Sequence, residues 1–215
     1  MGKTATVIGA TGLIGSLLVE ELLKDPEFET VRILIRRPIK LEHPKLEKKL
    51  VDFEDSDSLL IALTDSDCIF SAIGTTNRNV KNNKAEYRKI DFDLPLRVAR
   101  LGKMVGCENF SLVSAVNANS KSSFFYVRLK GEVEEAIRAV GIRSVHVMRP
   151  SMLLGNRKEK RPAEKILQST FRAMSFLMPS RFKPIEGRDV AKAMIRAAKK
   201  DEAGFFVYHF REMTR

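Results

Sequence analysis

Cysteine is scarce. Cys68 and Cys107 are the only two in 215 residues, so the chain carries no disulfide framework, and their separation gives no CxxC pair for metal or redox chemistry. Both are expected to be reduced and structural. Long apolar runs are also missing. The longest uncharged stretch, residues 4–19, holds three glycines in 16 residues, too short and too polar to span a bilayer. It lacks the pattern of a signal peptide as well, because no small-residue cleavage site follows a basic start and an apolar core. No membrane span is expected, and a cytoplasmic setting follows. Acidic residues are in deficit: 27 Asp and Glu against 38 Lys and Arg leave a net charge of +11. Residues 151–200 hold +9 of that excess, with 13 basic and 4 acidic side chains. A solvated basic face accounts for this, with anionic substrates, an acidic partner or nucleic acid as alternatives. Net charge alone licenses only non-specific attraction. The basic stretch 157–161 lacks interleaved aromatics, so it reads as a solvated loop near the substrate entrance, not a specific nucleic-acid contact.

What is present is ordinary globular composition, 44% hydrophobic and 30% charged, in a chain whose length favours one domain. Disorder, collagen and coiled coil are excluded as the main state. Val- and Ile-rich stretches at 4–8, 31–35, 49–51, 68–71, 110–113 and 144–148 read as strands. Segments of helical period at 13–24, 58–63, 84–105 and 125–140 alternate with them. The alternation predicts an α/β fold, a doubly wound and mostly parallel sheet. Pro95 should kink or restart the third helix, and Gly106 and Gly141 stand where left-handed caps belong. Beyond Pro150 the pattern turns basic and irregular, with helices expected at 163–177 and 188–200 and a short strand within 205–210. The whole of 1–215 is read as one domain, 151–215 adding a small C-terminal substrate cap.

The most informative segment runs from Thr6 through Gly9, Ala10, Thr11, Gly12, Leu13 and Ile14 to Gly15, a strand passing through a glycine turn into a helix. Gly9 permits the sharp turn, Gly12 lets backbone N–H groups approach a pyrophosphate, and Gly15 lets helix and strand pack closely. With a strand before and an amphipathic helix after, the turn reads as a dinucleotide site and not as a packing device. At the end of the second strand, where an NAD site offers a carboxylate to the ribose, this chain offers Arg36 and Arg37. A guanidinium pair clamps a 2′-phosphate, so the expected cofactor is NADP(H). The alternative is that the arginines only decorate the surface. Asp52 and Phe53 are placed near the adenine, and Ala72, Ile73, Gly74 and Thr75 along the ribose side, because ligands lie beyond the carboxyl ends of parallel strands.

Tyr126 and Lys130 are four apart on a predicted helix and share a face; Ser114 ends the preceding strand. A tyrosine serves as acid or base where an adjacent ammonium stabilises its phenolate. Lys130 supplies that charge and can hold the ribose hydroxyls, while Ser114 is placed to donate to the substrate oxygen. Tyrosine beside a lysine stem is also common surface packing, and position after the fifth strand is what favours catalysis. His43, His146 and His209 have no ligand spacing and read as structural, with no metal expected. Met174, Phe176, Leu177 and Met178 read as core before pocket lining.

The glycine turn, Ser114 and the Tyr126 to Lys130 spacing resemble the atypical class of short-chain dehydrogenase/reductases. More narrowly, residues 126–133 (YVRLKGEV), Arg149-Pro150-Ser151, residues 154–157 and residues 188–191 resemble the Tat-interacting-protein-like NAD(P)-binding oxidoreductases. The resemblance implies a Rossmann fold, NADP(H) and a carbonyl or alcohol substrate. The family's long helix carries an asparagine in a proton relay; the nearest position here is Asp91. Ser114 is followed by Ala115, Val116 and Asn117, where a second serine and a lysine are the expected pattern. Some atypical members bind the coenzyme and act through protein partners. The alternative function is therefore a catalytically weak NADPH sensor that engages a protein through the basic cap.

Overall fold

The structure, a computed structural model, describes residues 2–76, 79–154, 179–200 and 202–215. The helix expected at 163–177, the basic stretch 157–161 and Met174, Phe176, Leu177 and Met178 lie outside the described residues. The strands are β1 (Lys3–Ile8), β2 (Phe28–Ile35), β3 (Leu46–Leu50), β4 (Cys68–Ser71), β5 (Asn109–Val113), β6 (Ser144–Met148), β7 (Leu153–Leu154), β8 (Ile185–Glu186) and β9 (Gly204–Tyr208). Seven of them form one sheet in the order β3-β2-β1-β4-β5-β6-β9, every neighbouring pair parallel. β7 and β8 pair separately. The helices are α1 (Leu13–Lys24), α2 (Ser56–Leu63), α3 (Lys84–Arg88), a π turn (Lys89–Asp93), α4 (Leu94–Met104), α5 (Phe125–Val140), α6 (Gly187–Ala198) and α7 (Phe210–Met213).

Alternation along each strand builds a core on either face. Val7, Val31, Ile33 and Phe70 meet Leu18 and Leu22 of α1 and Val190 and Met194 of α6 on one side. On the other, Leu34, Ile69, Phe110 and Leu112 meet Leu59 of α2, Val98 of α4 and Val133 and Ile137 of α5. Each such side chain, fully withdrawn from water, contributes about 1.5–3 kcal/mol. The strand order reverses between β1 and β4, which opens the crevice where ligands of such sheets bind.

Several local readings shift; β2 begins at Phe28 and not at 31, and the late helix spans Gly187–Ala198 and not 188–200. The third strand lies at Leu46–Leu50, not 49–51. Among the described residues it is a sheet edge paired only with β2, and Glu47, Lys48 and Lys49 mask its pattern. α2 starts at Ser56 because Asp55 accepts from the Asp57 N–H. The 84–105 segment is interrupted: Pro95 has no N–H to give the Asp91 carbonyl, the turn widens to a π turn in which Leu94 N–H reaches Lys89 O, and α4 then continues. The last strand stops at Tyr208 because the His209 N–H is captured by Glu212, which caps α7. Gly106 and Gly141 take the left-handed conformation, with φ of 84° and 72°.

Candidate functional site

At Gly9 and Gly15, backbone contact leaves no space for a side chain. A Cβ on Gly9, whose φ is 80°, would lie 2.6 Å from Ala72 O, and one on Gly15 would lie 2.0 Å from Gly9 O. Gly12 caps α1 with no side-chain bond and no acid in the first turn. The first-turn N–H groups therefore lack both intrahelical acceptors and a local anion, and a pyrophosphate fits that cradle. Thr11, Leu13 and Ile14 belong to the same turn, with Ile14 buried beneath it.

Arg36 and Arg37 follow the last residue of β2; both are exposed, and neither has an acidic partner among the described residues. Asp52 and Phe53 follow β3. Asp52 is exposed and accepts from the Glu54 N–H at 2.9 Å; Phe53 is half-buried, its carbonyl taking a bond from Arg97 at 2.7 Å.

The loop after β4 links this crevice to the π turn and α5. Ala72 touches Gly9, Gly74 faces Asp91, and the Thr75 N–H donates to Asp91 Oδ2 at 2.8 Å. Asp91 Oδ1 in turn lies 2.8 Å from Lys130 Nζ, with side chains 2% and 5% exposed. Tyr87 donates its hydroxyl to Thr75 O at 3.1 Å, and burial pushes that phenol up from its ordinary value. Tyr87 stacks edge-on against Tyr126, ring centres 6.2 Å apart, while Tyr126 itself is 43% exposed. Tyr126 thus stands at the protein surface, and Lys130, one helical turn further along α5, is buried.

Ser114 is buried, and its N–H bonds Met148 O, which aligns the ends of β5 and β6. Its hydroxyl donates to Glu134, another turn along α5. Arg149 grips the same carboxylate, Nε lying 3.1 Å from Oε1 and 3.2 Å from Oε2. The Ser114 proton is therefore directed at Glu134 and not into the open crevice. Sequence reasoning named Asp91 only as a departure from a pattern and missed Glu134. The four-residue spacing of Tyr126, Lys130 and Glu134 was the signal available.

Elsewhere, His146 is fully buried between Ser144 and Tyr208, and burial lowers it to about 4. No cluster of metal-ligating side chains occurs among the described residues. Cys68 and Cys107 are free and buried, which raises their thiols to about 12 and about 11. A concavity of about 480 Å³ lined by Arg100, Lys103, Met104, Ala136, Ala139 and Val140 sits at the C-terminal ends of α4 and α5, the opposite end of α5 from Tyr126. No helix among the described residues is long and apolar enough to cross a membrane.

A parallel sheet with a tight glycine turn at its switch point defines a Rossmann-type nucleotide-binding fold. The family described as NAD(P)H-binding matches residues 9–201, and the chain belongs to that family. Among its relatives, Protein HTATIP2 of Rattus norvegicus is 34% identical over 172 residues, 79% of this chain and 70% of that protein. Protein FMP52-1, mitochondrial, of Scheffersomyces stipitis is 32% identical over 222 residues, covering 98% and 97% of the two chains. The fold is shared by solved structures at lower identity. MoeE5 in complex with UDP-glucose and NAD has a TM-score of 0.72 at 19% identity, covering 98% of this chain and 79% of that one. UDP-N-acetylglucosamine 4-epimerase from Bacillus cereus has a TM-score of 0.72 at 20% identity, covering 97% and 79%.

Proposed function

We propose that this protein is an NADP(H)-dependent oxidoreductase of the atypical short-chain dehydrogenase type, acting on a carbonyl or alcohol substrate. The observation that carries the proposal is the unbroken line of contacts from the glycine turn through Ala72, Gly74, Thr75 and Asp91 to Lys130. It joins the coenzyme cradle to the foot of Tyr126. The exposed Arg36 and Arg37, free of acidic partners among the described residues, support the 2′-phosphate and hence NADP(H). The bound coenzyme supplies or accepts the hydride. Tyr126 gives a proton to the substrate oxygen in reduction and takes it in oxidation. Lys130 favours the phenolate by its charge, and Asp91 holds that ammonium in place. Ser114 fixes the substrate beside Tyr126. A cytoplasmic setting belongs to the same proposal; several relatives are named mitochondrial, so subcellular fractionation is the check.

The test follows NADPH absorbance with aldehydes, ketones and quinones, wild type beside Tyr126→Phe, with NADPH and NADH affinities measured on the same samples. Tyr126→Phe is expected to lose nearly all turnover while keeping NADPH affinity. Replacing Arg36 and Arg37 by Ala should cut NADPH affinity about tenfold or more and leave NADH affinity within about twofold, the loss of charge-assisted bonds to a phosphate. Turnover retained in Tyr126→Phe sinks the mechanism. Tight NADPH binding without turnover across the panel favours the coenzyme sensor instead.

A further inference from the structure

We infer that Glu134, gripped by Arg149, is a positioning residue that turns Ser114 into a hydrogen-bond acceptor and selects substrates carrying a hydroxyl next to the reacting carbonyl. The inference rests on the oxidoreductase reading of the same site. A serine hydroxyl has one proton and two lone pairs, and an ionised carboxylate has only lone pairs. In the Ser114–Glu134 bond the serine is therefore the donor. The geometry fixes this sense. Ser114 is held through its N–H to Met148 O at 2.8 Å, and Arg149 through its N–H to Tyr208 O at 2.9 Å. The Arg149 guanidinium takes both oxygens of Glu134, which is 3% exposed.

What Ser114 then offers a ligand is lone pairs. A bare carbonyl oxygen brings no proton and finds a second acceptor facing it. A hydroxyl on the adjacent carbon donates to Ser114 Oγ, while the carbonyl remains for Tyr126. Buried ion pairs contribute little net stability compared with apolar residues of the same volume, so stability alone does not account for a carboxylate here. Fixing which atom of Ser114 carries the proton does require one.

The experiment compares kcat/KM for 2-hydroxyacetophenone and acetophenone with NADPH in wild type, S114A, E134Q and the double variant, with thermal unfolding and NADPH affinity checked for each. Wild type is expected to prefer the hydroxyketone by about tenfold or more, the value of one hydrogen bond that the deoxy analogue cannot make. S114A should bring the ratio near one, whatever it costs turnover of both ketones. In E134Q the amide carbonyl faces Arg149 and its NH2 faces Ser114. The serine proton is released toward the ligand, and the preference moves about tenfold toward acetophenone. The double variant should match S114A. Equal losses on both ketones in E134Q, with the wild-type ratio kept, overturn the inference and leave Glu134 a structural prop. Where E134Q does not fold, S114A decides, an unchanged preference overturning it. Wild-type turnover with no preference removes this inference alone. No NADPH consumption with any carbonyl removes the oxidoreductase reading, and this inference with it.

Discussion

Asp91 and Lys130 are the clearest case of one residue determining what another can do. With both side chains almost entirely withdrawn from water, either charge alone is unsupported. Asp91→Leu is expected to lower stability by about 3–5 kcal/mol in urea unfolding, because it strands the Lys130 ammonium; adding Lys130→Met should restore most of that loss. An additive double variant would mean the pair is not coupled. At this scale the sequence was unevenly legible. Lys130 was readable from its spacing to Tyr126, an interval within one helix. Asp91, 39 positions before it, and Arg149, 15 beyond Glu134, reach their partners only through folding. No local pattern announces a contact of that kind.

α5 shows how an element's placement depends on one missing atom. A Cβ on Gly131 would stand 2.1 Å from Ser120 N, so the helix bearing Tyr126, Lys130 and Glu134 seats against the 119–120 backbone only with glycine there. Gly131→Ala should destabilise the fold by about 1–3 kcal/mol, read by chemical denaturation. Gly15→Ala acts on α1 in the same way, driving a methyl into Gly9 O, and should reduce NADPH affinity at least about tenfold through displacement of the helix N-terminus. Unchanged affinity would remove the glycine turn from the coenzyme site. α1 and α5 were legible to the residue at 13–24 and 125–140, since amphipathic period and glycine caps are written locally. The π turn at Lys89–Asp93 was not. A proline forbids a hydrogen bond without saying whether the helix kinks, stops or widens, and packing of α3 and α4 on their neighbours makes that choice.

Across the whole molecule, part of the basic excess of residues 151–200 proves to be internal bracing. Arg188 pairs with Glu20 and Glu21, and Lys199 with Asp25 and Glu27, tying α6 to α1 and the segment after it. Composition could count those charges but could not assign their partners. His146 gives the fold a pH dependence of known sign. The buried ring is lowered to about 4, whereas an unfolded histidine titrates near its ordinary value of 6.5. The unfolded chain binds the extra proton in between, so the contribution is complete above pH 6.5 and is lost as pH falls toward 4. It is on the order of 3 kcal/mol. Thermal melts from pH 7 to pH 4 should therefore fall less steeply for His146→Gln than for wild type; parallel curves would show that the ring does not govern the slope. The placement of β9 matters before the protein is finished. Ribosomes deliver strands in chain order, so β6 waits with one edge unpaired until Gly204–Tyr208 emerges to cover it. A premature stop codon ahead of that strand would release an adhesive chain, a burden on chaperones and not merely an inactive one.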